Sequence, residues 1–334
     1  MSRRVQMAVG VGLTALLLWL FLREVDLGGV VEELKRADYR WVLAATTLTL
    51  LLTVHRAWRW HYLLLPVKSI ALAPLTATTF MGLTFTALLP GRLGEVVRPV
   101  LLGRRENISK TAAFATIVLE RIFDLLSVLV ILVTYLLFFP LPRGLDGEGA
   151  EIIAGIRWGG MAALVGLVVA VGFLVGAQLM PRRTDTVLER VMGWLPGTIG
   201  ARLLPIARSF LTGFAGIKDP KLIVTIAVHS LLMWFNILVT YYILFFAFDI
   251  ELPYYAVMPL VVMVVIGVMV PTPASVGAFH YATQLALVTL WSVPIEQATS
   301  YAIVCHALVF VPTTIIGIVL LSREGVSLRT FDQG

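Results

Sequence analysis

Charge is scarce in this sequence: Asp, Glu, Lys and Arg make up only 14% of its 334 residues, where a soluble domain carries roughly a quarter. That shortage excludes an ordinary soluble enzyme. Cysteine is nearly missing as well. Cys305 stands alone, which rules out an internal disulfide and any zinc site built from several thiolates. There is no H-E-x-x-H, no G-x-S-x-G, no P-loop and no cluster of metal-ligand residues, so no metal, no cofactor and no enzymatic chemistry of those kinds is expected. The first apolar run, Val5 to Leu22, follows Arg3 and Arg4 but has no small-residue cleavage site before Arg23. It reads as a retained span rather than a signal peptide. No linker separates two soluble domains, so 1–334 reads as one integral membrane domain.

Apolar residues fill the space that charge vacates. They form 59% of the chain, and mean hydropathy is +0.91. Runs of eighteen or more mostly apolar residues recur, each long enough to cross a hydrocarbon core of about 30 Å. The expected fold is an all-α polytopic membrane protein with spans near 5–22, 41–64, 109–139, 152–179, 220–247 and 297–321. Two segments broken by Pro and Gly, 74–103 and 253–291, complete it. The net charge of +6 and pI near 9.6 do not signal nucleic acid, because Lys and Arg lie between spans and form no single soluble face. With the N-terminus inside, 19 Lys and Arg fall on the cytoplasmic side and 6 on the outer side, leaving Arg121 in mid-membrane. The positive-inside rule therefore places the chain in the cytoplasmic membrane with both termini cytoplasmic. In the long inner loop, Leu203, Leu204, Ala207, Phe210, Leu211 and Phe214 recur at helical spacing. An amphipathic helix lying flat on the inner leaflet is expected there, with a plain connector as the alternative.

The two broken segments carry the functional signal. One reads Leu88-Leu89-Pro90-Gly91-Arg92-Leu93-Gly94-Glu95, the other Val270-Pro271-Thr272-Pro273-Ala274-Ser275-Val276-Gly277. Proline removes a helix donor, and irregular backbone at membrane depth survives only where protein or a wet cavity satisfies it. Both breaks contain Pro-x-x-x-Gly, at Pro90/Gly94 and Pro273/Gly277, and the topology gives them opposite orientations. The chain thus divides into a first half near 1–140 with its break at 88–98, and a second near 152–321 with its break at 270–280. Interrupted helices at corresponding places in opposed halves point to an inverted repeat with a transporter-like site at its interface.

Glu120, Arg121 and Asp124 lie on the helix that starts at Ser109. Glu120 is roughly 16 Å along it, at about 1.5 Å per residue. Ionisable groups at such depth are costly unless paired, and so are candidates for function. Arg92, Glu95 and Arg98 of the first break supply partners. One interior cluster of six charges is expected, either binding an anionic head group or bracing the hairpin against the helix. Among weaker candidates, His280 follows the second break, while His229 and His306 read as hydrogen-bond partners between helices. His55, Arg56, Arg59 and His61 interleave with Trp58, Trp60 and Tyr62, the composition of an interfacial anchor.

The run Leu89 to Arg98, followed by Leu119-Glu120-Arg121-Ile122-Phe123-Asp124, resembles the flippase-like membrane domain of lysylphosphatidylglycerol synthases. Pro271 to Gly277 is similar to a third pattern of that family, with Ala274-Ser275 where Gly-Gly is common and His280 where an acid is usual. The resemblance implies movement of lipid between leaflets, without the soluble aminoacyl-transferase domain of the full synthases. The expected function is a flippase or transporter for an anionic phospholipid or a lipid-linked saccharide. Two other readings stand beside it: an intramembrane lipid-modifying transferase using Glu95, Glu120 or Asp124 as base, and a non-catalytic partner of cell-envelope lipid-modifying enzymes. Membrane lipids are the expected partners.

Overall fold

The structure, a computed structural model, describes residues 3–88, 94–142, 147–194, 197–214 and 219–323. These residues form thirteen α-helices and contain no strand. Six of the helices coincide with the expected spans: α1 (Arg3–Leu22), α3 (Tyr39–Leu64), α6 (Lys110–Phe138), α7 (Glu148–Leu179), α10 (Pro220–Ala247) and α13 (Ile295–Arg323). Among them α6, α7, α10 and α13 are long and apolar enough to cross a membrane. α3 has 26 residues and about 39 Å of length at 1.5 Å per residue, but its second half carries arginine and histidine. The chain is thus an all-α polytopic membrane protein.

Each broken segment is a pair of helices in contact. The first comprises α4 (Leu72–Leu88) and α5 (Gly94–Glu106). Leu89, Pro90, Gly91, Arg92 and Leu93, which join them, lie outside the described residues. The pair runs antiparallel: Gly94 lies against the Gly82 carbonyl and Thr86, while Gly82 lies against Arg98. A side chain at Gly94 would collide with backbone, so only glycine lets α5 start this close to α4. The second segment comprises α11 (Val257–Val268) and α12 (Ala278–Trp291), joined through a single 3₁₀ turn, Pro273–Ser275. A Cβ on Gly267 would stand 2.6 Å from the Cβ of Ala282. Ala274, Ser275 and Gly277 all have positive φ, at 49°, 56° and 80°. The two non-glycine residues pay a steric penalty of roughly 1–2 kcal/mol each for that conformation. Gly277 fits against α1, where a Cβ would approach that of Leu17 to 2.9 Å. α13 packs along α4 and α12, and α10 along α3, so long helices hold both hairpins in place.

Three short helices fall between the spans. α2 (Leu27–Arg36) is capped by the Asp26 carboxylate, which accepts from the amides of Gly28 and Gly29, and only Val30 is fully buried. α8 (Pro181–Gly193) and α9 (Gly197–Thr212) pack together in the long loop, where Arg208 pairs with Asp185 at 2.9 Å and Glu189 at 2.7 Å. The apolar stripe expected to lie on the leaflet turns instead toward α6. Phe214 is wholly buried, Phe210 meets Phe114 at 6.4 Å between ring centroids, and Ser209 bonds Ser109 at 2.6 Å. Leu203, at the start of the stripe, stays exposed, as does Ile206 on another face.

Candidate functional site

Three helices bring the charges together. α6 supplies Glu120, Arg121 and Asp124, and α5 supplies Glu95 and Arg98. α3 contributes Arg56 and Arg59, which composition had marked as an interfacial anchor. Leu52, Arg56, Arg59 and Leu63 recur at spacings of four, three and four along one face of α3, and Arg59 is fully buried on it. Trp60 is buried too, whereas Trp58 is exposed. The anchor reading therefore fails for Arg59 and Trp60. The helical register with Leu52 and Leu63 was the available signal.

Glu120, with no exposed surface, is the hub. It accepts from Arg98 Nη1 at 3.1 Å and 3.2 Å and from Arg121 Nη2 at 2.6 Å, and Arg59 Nη2 stands 3.4 Å away. Asp124 accepts from Arg59 Nη1 at 2.6 Å and from the Trp234 indole at 3.3 Å, and it pairs with Arg121 at 3.1 Å. Arg59 Nη1 also donates to the Ser230 hydroxyl at 2.8 Å. The Arg98 guanidinium lies 3.8 Å from the centre of the Trp60 ring, whose indole donates to Thr116 at 2.9 Å. Aromatic stacking of this kind suits a guanidinium because it is planar and weakly hydrated. Glu95 is the loosest member, 3.7 Å from Arg121. Glu95 and Arg98 each pair with a residue of α6, so the network joins hairpin to helix.

Five of the six charges expected in the cluster are therefore assembled, while Arg92 lies outside the described residues. Arg56 and Arg59 were missed by sequence reasoning. His280 is not part of the cluster: it is buried against His306, at 4.4 Å between ring centroids, and against Phe21 at 5.3 Å. His306 Nε2 donates to the Ala274 carbonyl at 2.9 Å, so that ring ties the second break to α13. His229 pairs with His55 at 2.8 Å. Both contacts are the helix-to-helix hydrogen bonds expected for such residues.

A cavity of about 460 Å³ opens between the two hairpins, lined by the charged Arg56, Glu95, Arg98, Arg121 and Asp124 and by Val261, Val264 and Val268 of α11, Met269, Phe279 and Phe310. The volume lies within the range of small-molecule sites, about 300–1,000 Å³. The lining is charged in part and apolar in part, so the space suits the junction between a polar head and a hydrocarbon chain.

Fold and site together define a polytopic α-helical membrane protein with a charged interior cavity framed by two helical hairpins. The chain belongs to the family described as the lysylphosphatidylglycerol synthase TM region, which it matches over residues 7–317. It is 25% identical over 350 residues to glycosyltransferase AglD of Haloferax volcanii, covering 98% of this chain and 56% of AglD. The chain thus spans little more than half of that relative. A UPF0104 membrane protein of Methanothermobacter thermautotrophicus is 24% identical over 299 residues, 83% of each chain. A second UPF0104 membrane protein, from Methanocaldococcus jannaschii, is 33% identical over 92 residues, 27% of this chain and 36% of its own. No solved structure matches.

Proposed function

We propose that the chain moves a lipid with an anionic head group between the leaflets of the cytoplasmic membrane, through the cavity between its hairpins. The observation that carries this reading is the mixed lining: guanidinium and carboxylate groups of α3, α5 and α6 share one cavity with valines of α11 and with Met269. An amphiphile satisfies both kinds of lining at once, whereas a small polar solute leaves the apolar part wet. Two hairpins around one cavity, each held by long helices, supply elements that can rock about a fixed site, the arrangement expected of inverted repeats. With Arg56, Arg59 and Arg98 assigned to the interior cluster, 16 of the 19 Lys and Arg remain on the cytoplasmic side against 6 outside, an excess that supports cytoplasmic termini under this proposal.

Lipid movement is favoured over intramembrane catalysis at Glu120 and Asp124 by the state of their carboxylates. A general base needs a free lone pair within reach of substrate. Glu120 is held by three arginines and Asp124 by two, which leaves the loosely paired Glu95 as the carboxylate of the alternative reading. A lipid-linked saccharide is a second cargo under this reading, favoured by the likeness to a protein named as a glycosyltransferase. The test is leaflet exchange in proteoliposomes of the purified chain, with labelled phosphatidylglycerol, phosphatidylcholine and a polyprenyl-phosphate saccharide. Faster exchange of an anionic or polyprenyl-linked lipid is expected. No acceleration of any lipid by folded protein would refute the proposal.

A further inference from the structure

Among the described residues of the cluster, four guanidinium groups, Arg56, Arg59, Arg98 and Arg121, face three carboxylates, Glu95, Glu120 and Asp124. Every ion pair in it belongs to Arg59, Arg98 or Arg121. Arg56 has none. It lines the cavity, its Nε is buried, and no hydrogen bond or ion pair with a described residue reaches its guanidinium. It stands one turn before Arg59 on α3, so its nearest neighbour on its own helix repels it. Arg98 also lines the cavity, with a side chain only 8% exposed, and its Nε and Nη2 are buried without a partner although Nη1 is bonded to Glu120. Arg121 Nε is unbonded as well, but its Nη atoms are taken by Glu95, Glu120 and Asp124, so Arg56 and Arg98 keep the most donors unspent beside the cavity, and among the described residues one positive charge is left over.

We propose that Arg56, together with the free edge of Arg98, is the phosphate-binding element of the cavity, and that it selects a lipid head group of net negative charge. This rests on the lipid reading of the cavity, and the occupant is the phosphodiester of a lipid head group. The surplus of guanidinium among the described residues sets the selectivity. An anionic head group compensates it, whereas a zwitterionic head group leaves it uncompensated. An uncompensated buried charge is costly in a low dielectric. A guanidinium suits the task because its fork of donors matches two phosphate oxygens. Arg59, fully buried and outside the cavity lining, braces the site, and Arg121 is held by Glu95, Glu120 and Asp124.

The test is binding to the detergent-purified full chain, read by thermal shift and by titration with phosphatidylglycerol, phosphatidylcholine and inorganic phosphate. Phosphatidylglycerol is expected to bind about tenfold or more tightly than phosphatidylcholine, as a bond to a charged group allows. Arg56→Gln should abolish that preference without lowering the melting temperature of the lipid-free protein, because it removes an unpaired charge. Arg56→Lys, which keeps the charge, should retain the preference. Unchanged preference in Arg56→Gln would overturn the inference, and so would a lower melting temperature without lipid, which marks a bracing residue. Inorganic phosphate binding as tightly as phosphatidylglycerol would overturn the lipid assignment. Binding is measured without leaflet movement, so the two proposals fail separately. Arg56-dependent binding without exchange sinks transport alone, and exchange with full preference in Arg56→Gln sinks this inference alone.

Discussion

Replacing Arg59 with glutamine removes a fully buried guanidinium that holds Asp124 at 2.6 Å, Glu120 at 3.4 Å and the Ser230 hydroxyl at 2.8 Å. Glutamine reaches less far and carries no charge. Glu120 keeps Arg98 and Arg121, but Asp124 is left with Arg121 at 3.1 Å and the Trp234 indole. Breaking a buried pair from one side costs roughly 3–5 kcal/mol, because the surviving charge is uncompensated. Large chains shift by about 2 °C per kcal/mol, so a fall of roughly 6–10 °C is expected in the thermal unfolding of detergent-purified protein. Arg59→Gln combined with Asp124→Asn should recover most of that loss, since the pair leaves together, and the recovered amount measures the coupling. A melting temperature within about 1 °C of the unmodified protein would refute the reasoning, for it would show Arg59 at the membrane surface, where exposed ion pairs contribute roughly 0–1 kcal/mol.

Gly94→Ala should splay the first hairpin, because the new methyl meets the Gly82 carbonyl and Thr86; a loss of about 2 kcal/mol or more in unfolding stability is expected for such overpacking. Ala274→Gly should stabilise the protein by roughly 0.5–1 kcal/mol. It relieves the positive φ of 49°, and that gain exceeds the added freedom of the unfolded chain; a lower melting temperature would show that the turn is unstrained. The Arg208 side chain holds the Asp185 carboxyl below its ordinary value of 3.8 through a direct hydrogen bond. Because the folded value is the lower one, the contact stabilises above that ordinary range and is lost as pH falls through the folded value. Hydrogen exchange across α8 should therefore quicken at strongly acid pH, and Arg208→Gln should give the same quickening at neutral pH.

How much of this was legible in the sequence depended on how local the deciding physics was. All six expected spans are helices, and four of them, α6, α7, α10 and α13, were readable as membrane-crossing because apolar length alone decides whether a segment can enter hydrocarbon. The breaks were readable because Pro and Gly act on their own backbone. Arg121, Glu120 and Asp124 declared themselves by sitting deep in an apolar helix. Arg59 did not, because Trp58, Trp60 and Tyr62 give its surroundings the composition of a membrane interface. What buries it are Asp124 on α6 and Ser230 on α10, which lie 65 and 171 residues away in sequence. α2 and α8 were missed because each is short and polar, and their shape comes from what they dock against. The stripe of α9 was seen, but its partner was misassigned. An apolar face records that it must be covered, not whether lipid or the phenylalanine of another helix covers it.

The central claim is that lipid passes through the cavity between the hairpins, and its most direct test is leaflet exchange with that cavity blocked. Val264 lines the cavity and takes part in none of its ion pairs, so Val264→Trp fills the space while leaving every ion pair in place. The account predicts that the unmodified chain accelerates exchange of labelled phosphatidylglycerol in proteoliposomes. Val264→Trp, with an unchanged melting temperature, should return the rate to that of protein-free vesicles. Full exchange by a stably folded Val264→Trp chain would contradict it.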